Sequence, residues 1–404
     1  MNFDFDGVLL ALSFALDCVE HDLLGVETNH GKRVAALAIL IGDRLGAISD
    51  GGDKQLLSAC SVMHDCALTE YVSEEFGGSF ERAAKMLPSD MGKHCIMGEE
   101  IMQLLPFQYF DVKNVVLYHH ENADGSGAFG KKAEEIPQKE RLIQMADTVD
   151  AAFDTSSLND AKIQEIREYI CKYSGEFFAK SEADALLSLL DDDILSRLAN
   201  DNIDAFLNEL LPGGNISCTP PQLVDFASAF AKIIDYKSHF TRNHSIGIAQ
   251  KAMKMARFYG ADEELAAELY FAGALHDIGK LVVDRAVLEK PDKLNAGEYL
   301  HIQKHAYYTH KILSQVKGLE EITKWASHHH EKLDGTGYPF GLKANQLGKW
   351  ERLLACLDIY QALTEERPYK ASMPHDKAME ILNDMSKSGK LDAQIVEDID
   401  KVLA

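Results

Sequence analysis

Along most of the 404-residue chain, apolar positions recur every three to four residues with polar ones between, the spacing that gives a helix one buried face. Leu223–Lys237 follows this rule, Ser245–Tyr259 follows it and stops at Gly260, and Glu264–Leu275 repeats it. Glycine just past the last periodic residue is a common helix stop, because it accepts left-handed backbone without a Cβ clash. Convincing alternation with a period of two, the mark of half-buried strands, is absent, so the pattern predicts an all-α fold. Breakers cluster in PGGNISCTPP at Pro212–Pro221. That cluster predicts a linker, 212–221, between a first domain at 1–211 and a second at 222–404. Asp160–Leu211 reads as additional helices closing the first half.

The chain also repeats itself. His244, His276-Asp277, His305, His329-His330 and Asp358 stand in order in the second half, and His30, His64-Asp65, His94, His119-His120 and Asp147 stand in the same order in the first. Corresponding positions differ by 214, 212, 211, 210 and 211 residues. The flanks agree as well: NHGKRVAALA answers NHSIGIAQKA, and YHHENADGSGAFG answers HHHEKLDGTGYP. Five offsets this close identify a tandem duplicated helical domain.

Composition narrows the functions open to such a fold. A formal net charge of −23 disfavours a long nucleic acid as partner, since that binding needs clustered Lys and Arg. A small nucleotide is not excluded, because a few local cations or bound metals suffice for it. The seven cysteines are scattered without a C-x-x-C pair, so they read as reduced thiols and not as a disulfide framework or zinc ribbon. No apolar run approaches the roughly 20 residues that span a bilayer. The first residues have no basic leader, and Asp17 interrupts their apolar run, so a cytoplasmic protein is expected.

Imidazoles and carboxylates gathered from several helices suit a first-row metal such as Fe or Mn, and suit Mg less, because it prefers oxygen ligands. Five histidines and two aspartates exceed the needs of one ion, so each set has the makings of a two-metal site. A single histidine of this kind is more often a surface or hydrogen-bonded core residue. Seven recurring in register reverse that weighting.

The second half resembles an HD-GYP domain, a branch of the HD metal-dependent phosphohydrolases. The resemblance is carried by HDIGK at His276–Lys280, HHEKLDGTGYP at His329–Pro339 and LDIYQALTEERPYK at Leu357–Lys370, and it covers roughly Val224–Leu403. It implies an all-helical phosphodiesterase opening cyclic di-GMP or 3′,3′-cyclic GMP-AMP to a linear dinucleotide, with a further cut giving mononucleotides in some members. It further implies that His244, His276, Asp277 and Asp358 hold one ion, and that Asp277 bridges to a second held by His305, His329 and His330. The chemistry would fall to Asp277 and Lys280. Arg367 and Lys370 would clamp the substrate, with Tyr338 packing on a base. Read from the residues alone, Lys280 is equally a solvated surface lysine, and RPYK an ordinary turn.

Two departures from the family pattern matter. Members with a third metal carry a carboxylate four residues before the first histidine, where this chain has Phe240, so two ions are expected. Where the family often has Asp, three residues after the last metal Asp, this chain has Gln361, a donor as well as an acceptor and hence a candidate base contact.

The first half resembles a degenerate HD domain. It keeps every metal-binding position, a possible second metal site, but Leu68 replaces Lys280, Gly127-Ala128-Phe129 replaces GYP, and Ser156 and Asn159 replace Arg367 and Lys370. A structural, dimerising copy, a sensory copy that binds metal or ligand, and a residual hydrolase all stay open for it. For the whole chain, the alternative to an enzyme is a metal-bearing nucleotide sensor or scaffold. Such a protein would dock a GGDEF-type cyclase through Asp334–Pro339. Hydrolysis of an ordinary nucleoside monophosphate is a weaker third reading, and a homodimer is compatible with all of them.

Overall fold

A computed structural model describes the chain except residues 25–28, 49, 77–91, 106–112, 191–192, 212, 214, 237–243, 289, 291 and 366–371. The described residues are overwhelmingly helical. Their extended structure amounts to one two-stranded sheet, β1 (Asn2–Asp4) paired with β2 (Asn215–Ser217), and isolated bridges. Each strand is three residues long, too short to leave an alternating signature in the sequence.

Two compact units emerge, Asp4–Asn215 and Ile216–Ala404, and the second also takes in Met1–Phe3. The division falls inside the Pro212–Pro221 breaker cluster, but the first three residues belong with the C-terminal half. Phe3 is fully buried there, its ring 5.8 Å from Phe226 and 6.2 Å from Phe271, and Cys218 donates its backbone N–H to the Met1 carbonyl at 3.0 Å. Three aromatic rings in mutual contact form a strongly apolar centre for this end of the unit.

In the C-terminal unit the helix His244–Phe258 packs most extensively on Glu263–Leu275, which also carries Pro220–Tyr236 on its flank. Small residues allow this: a Cβ on Gly273 would lie 2.9 Å from the Cα of Ala249. In the N-terminal unit His30–Leu45 is the central helix, packed on Gly51–Val62 and Gln138–Phe153, with thirteen of its residues buried, from His30 to Gly42.

Each unit fixes the start of its leading His helix in the same way. Asp235, buried at the end of Pro220–Tyr236, accepts from Ser245 N at 3.1 Å and Ser245 Oγ at 2.6 Å. Asp17, buried in the helix Phe5–Leu24, accepts from Asn29 N at 2.7 Å and Gly31 N at 3.2 Å. A carboxylate on the first backbone N–H groups satisfies otherwise orphaned donors and complements the helix dipole. His30 and His244 therefore leave their helices at a defined position.

Candidate metal centre

The C-terminal unit brings all seven predicted ligands together. His244 opens its helix, His276 and Asp277 end Glu263–Leu275, and His305 comes from Ala296–Leu313. His329 and His330 lie in the turn after Glu320–Ser327, and Asp358 projects from Lys349–Thr364. Gly279 sets the approach of two of these elements. A Cβ there would sit 2.0 Å from the His305 carbonyl oxygen, so only glycine lets the segment after Asp277 lie against the His305 helix.

Asp277 is the hub. Its Oδ2 lies 3.1 Å from His276 Nε2 and 3.9 Å from His244 Nε2, and its Oδ1 lies 3.4 Å from His305 Nε2 and 3.9 Å from His329 Nε2. Asp358 places Oδ1 3.2 Å from His244 Nε2 and Oδ2 3.4 Å from His330 Nδ1. Burial disfavours charge on Asp277, but the ammonium of Lys280 beside it helps hold the carboxyl well below the usual range. Lys280 does so through direct contact of Nζ with Asp277 Oδ2, across one turn of the 3-10 segment Ile278–Val282.

The ring orientations suit a cluster that binds metal. His276, His305 and His329 each donate Nδ1–H to the carbonyl three residues earlier, at 2.7, 2.6 and 2.6 Å, to Gly273, Ile302 and Ala326. Their Nε2 atoms are then bare lone pairs turned toward Asp277. Lone pairs facing a carboxylate repel unless a cation lies among them, and buried His276 Nε2 and Asp277 Oδ1 find no hydrogen-bond partner among the described residues. Burial also pushes His305 down to about 3 and lowers His329 and His330, keeping these imidazoles neutral as ligation requires. The donor set fits divalent metal.

Three residues that sequence reasoning passed over complete the centre. Glu365 accepts from His244 Nδ1 at 3.0 Å and so orients the first ligand. Glu331, the Glu of HHE, is buried and accepts from the backbone N–H groups of Phe340, Gly341 and Leu342 at 2.7, 3.1 and 2.9 Å, pinning the GYP loop beneath it. Asp235 caps the His244 helix. Asp17 and Asp235 sit at near-repeat spacing, as do Glu121 and Glu331, and this periodicity was the available signal. Glu365 answers by spacing to Asp154, which lies 4.0 Å from Arg33 Nη2, while the carboxylate on His30 is Asp150.

The GYP loop delivers Tyr338 to the site, its ring 4.6 Å from that of His330. Gly337 permits this, since a Cβ there would meet Lys332 N at 2.4 Å. Tyr338 lines a cleft of about 430 Å³ together with Tyr299, His329, His330, Asp358 and Leu363. Gln361 is elsewhere: it is buried, accepts from Lys251 Nζ at 2.6 Å, lies against Gly247 and is not among the residues lining the cleft. Arg367, Lys370 and Phe240 lie outside the described residues.

The N-terminal unit assembles the equivalent set. His30 Nε2 and His64 Nε2 lie 3.1 and 3.6 Å from Asp147 Oδ1, and His94 Nε2 and His119 Nε2 lie 3.1 and 3.4 Å from Asp65 Oδ1, with His120 beside them. The phosphate-handling positions serve structure instead. Leu68 is buried, and Asn159 caps the helix Asp160–Tyr173, accepting from Lys162 N at 3.0 Å.

A helical bundle presenting histidines and an HD pair around shared carboxylates is the metal centre of an HD-type hydrolase. HD-domain family models match residues 228–395 and 28–152. A 3′3′-cGAMP-specific phosphodiesterase of Vibrio cholerae is 30% identical over 98% of this chain and 91% of its own length. A second from that organism is 33% identical over 72% of this chain and 62% of its own, and a cyclic di-GMP phosphodiesterase of Pseudomonas aeruginosa is 36% identical over 39% and 37%. A solved cyclic GMP-AMP specific phosphodiesterase of V. cholerae shares the fold, with a TM-score of 0.66 at 23% identity over 100% of this chain and 98% of that one. The chain belongs to the HD-GYP phosphodiesterase family, with two HD domains in tandem. No helix among the described residues is long and apolar enough to cross a membrane.

Proposed function

We propose that the C-terminal unit is a phosphodiesterase that opens a 3′,3′-linked cyclic dinucleotide, 3′3′-cGAMP in preference to cyclic di-GMP, to a linear dinucleotide. The observation that carries this reading is the cleft, where Tyr299 and Tyr338 stand beside His329, His330 and Asp358. Aromatic faces next to a metal centre suit a ligand of paired bases and phosphodiesters. The preference for 3′3′-cGAMP is supported by the Vibrio enzyme of that specificity, which matches along nearly the whole chain.

His244, His276, Asp277 and Asp358 would hold one divalent ion, and Asp277, His305, His329 and His330 the other, with iron or manganese suited to the mixed nitrogen and oxygen set. When bound, such ions supply Lewis-acid charge and make water a competent nucleophile near neutral pH. The chain's own part is electrostatic and positional. Lys280 brings a cation to Asp277, where it can offset charge developing on the phosphate oxygens. Tyr338 packs on a base and fixes the ring of His330 beneath it. Arg367 and Lys370 would clamp the second phosphate.

Protein loaded with manganese, or with iron under anaerobic conditions, is incubated with each cyclic dinucleotide and the products separated. Faster opening of 3′3′-cGAMP supports the proposal, and loss of turnover in a folded His276→Ala, Asp277→Ala protein locates the reaction. Full metal loading with neither substrate opened would leave the nucleotide sensor or scaffold reading. That second reading draws on Phe340, 43% exposed on the GYP loop, as a docking point for a GGDEF-type cyclase.

A further inference from the structure

The two metal centres differ in one ligand-bearing position. Cys95 follows His94 in the helix Gly92–Met102, and the repeat offset of 211 puts Ala306 in its place in the C-terminal unit. Both side chains are fully buried. Cys95 Sγ lies 3.7 Å from His94 Nε2, and the donor atoms of His94, Cys95, His119 and His120 all fall within 4.8 Å of one another. His119 donates Nδ1–H to the Val116 carbonyl at 2.5 Å, so its Nε2 is a bare lone pair directed into this cluster. Asp65 Oδ1, in a side chain that is 5% exposed, and His120 Nε2 find no hydrogen-bond partner among the described residues.

We propose that the N-terminal unit holds a zinc(II) or iron(II) ion in a closed site of His94, His119, His120 and the thiolate of Cys95. Two separations in this set agree with metal–ligand lengths. Bonds of about 2.0–2.1 Å to nitrogen and about 2.3 Å to sulfur in a tetrahedron separate two nitrogens by about 3.3 Å and nitrogen from sulfur by about 3.6 Å. The corresponding separations here are 3.3 Å for His94 Nε2 to His119 Nε2 and 3.7 Å for His94 Nε2 to Cys95 Sγ. A thiolate selects zinc or iron over manganese, which favours oxygen and imidazole. Four protein ligands also fill the coordination shell. In the C-terminal unit, Ala306 supplies no donor at that place and leaves it open to substrate.

The closed shell matches the loss of Lys280 to Leu68. The first unit keeps a metal and gives up the means to act on a phosphodiester there. This holds whether or not the second unit cuts a cyclic dinucleotide.

The test uses the full chain loaded with cobalt(II) as a spectroscopic probe. A thiolate-to-cobalt charge-transfer band is expected in the wild type and in His276→Ala, Asp277→Ala protein, and its loss is expected in Cys95→Ser. Cys60 and Cys66, also buried in this unit, provide the control, since Cys60→Ser and Cys66→Ser should each retain the band. Zinc-loaded His276→Ala, Asp277→Ala protein should show one sulfur scatterer at about 2.3 Å by X-ray absorption, a measurement that does not depend on the Cys95 variant folding. A band that survives Cys95→Ser, or a zinc shell without sulfur, overturns the proposal.

Discussion

His244 Nδ1 meets Glu365 Oε2 at 3.0 Å, whereas its counterpart His30 meets Asp150 Oδ2 at 2.6 Å, and these two carboxylates do not occupy equivalent positions. Asp150 corresponds to Gln361, one helical turn before Glu365. In the N-terminal unit Asp150 also binds buried Arg33, Nε to Oδ1 at 2.8 Å and Nη2 to Oδ2 at 2.9 Å. The C-terminal unit has Gly247 where Arg33 would stand, and Gln361 fills the space and takes Lys251. A buried ion pair has been exchanged for a neutral side chain, and orientation of the leading histidine has passed to Glu365.

Glu365→Gln should therefore weaken metal binding in the C-terminal unit by about 10–100-fold, the usual effect of removing an outer carboxylate from a ligating histidine. Competition with a chromophoric chelator reads this directly. Adding Gln361→Asp to that variant should recover part of the loss, because it restores the carboxylate position seen at Asp150. No recovery would mean that the two helices present this position differently to their histidines.

Glu331 gathers three backbone donors of the GYP loop. Glu331→Ala leaves them without their acceptor and should cost about 3 kcal/mol or more of stability, since hydrogen bonds to charged groups contribute about 1.5–3 kcal/mol each and are only partly replaced by water. Because the loop carries Tyr338, KM should rise more than kcat falls. Denaturation and steady-state kinetics on the same protein check both parts.

Glu140 sits fully buried on the helix Gln138–Phe153 with neither oxygen hydrogen-bonded among the described residues, and burial pushes it up from 4.5 to about 8. The folded chain then binds a proton that the unfolded chain has released between those values. Stability from this group is full below about pH 4.5 and is lost as pH rises toward 8. Glu140→Gln should flatten that part of the profile and be more stable than wild type at pH 8. Chemical denaturation across pH 5–8 distinguishes it from an unchanged slope.

Phe3→Ala removes a buried ring from the C-terminal unit and should cost about 3–5 kcal/mol there. Thermal unfolding of the whole chain reads it as a lowered transition, with the C-terminal site's metal affinity falling alongside.

Much of the site was legible because ligands repeat. His and Asp recur at nearly constant offsets, and a metal centre built from several helices leaves that trace in the sequence. Positions that work through backbone groups or through one another were harder to read. Asp235 and Glu331 bind main-chain N–H groups whose location depends on how helices and loops return in space. Glu365 pairs by spacing with Asp154, whereas the carboxylate that orients His30 is Asp150, one turn earlier, so matching the two copies does not reveal its role. The short β1–β2 pair and the place of Phe3 depend on contacts between residues more than two hundred apart, beyond any local pattern.

With Phe3 in its core, the C-terminal unit is discontinuous in the chain, and the whole of Asp4–Asn215 is an insertion between its first strand and the remainder. On the ribosome Phe3 meets Phe226 and Phe271 only after more than two hundred further residues have been made. The C-terminal unit therefore closes late in synthesis, after the copy inserted within it has had time to fold.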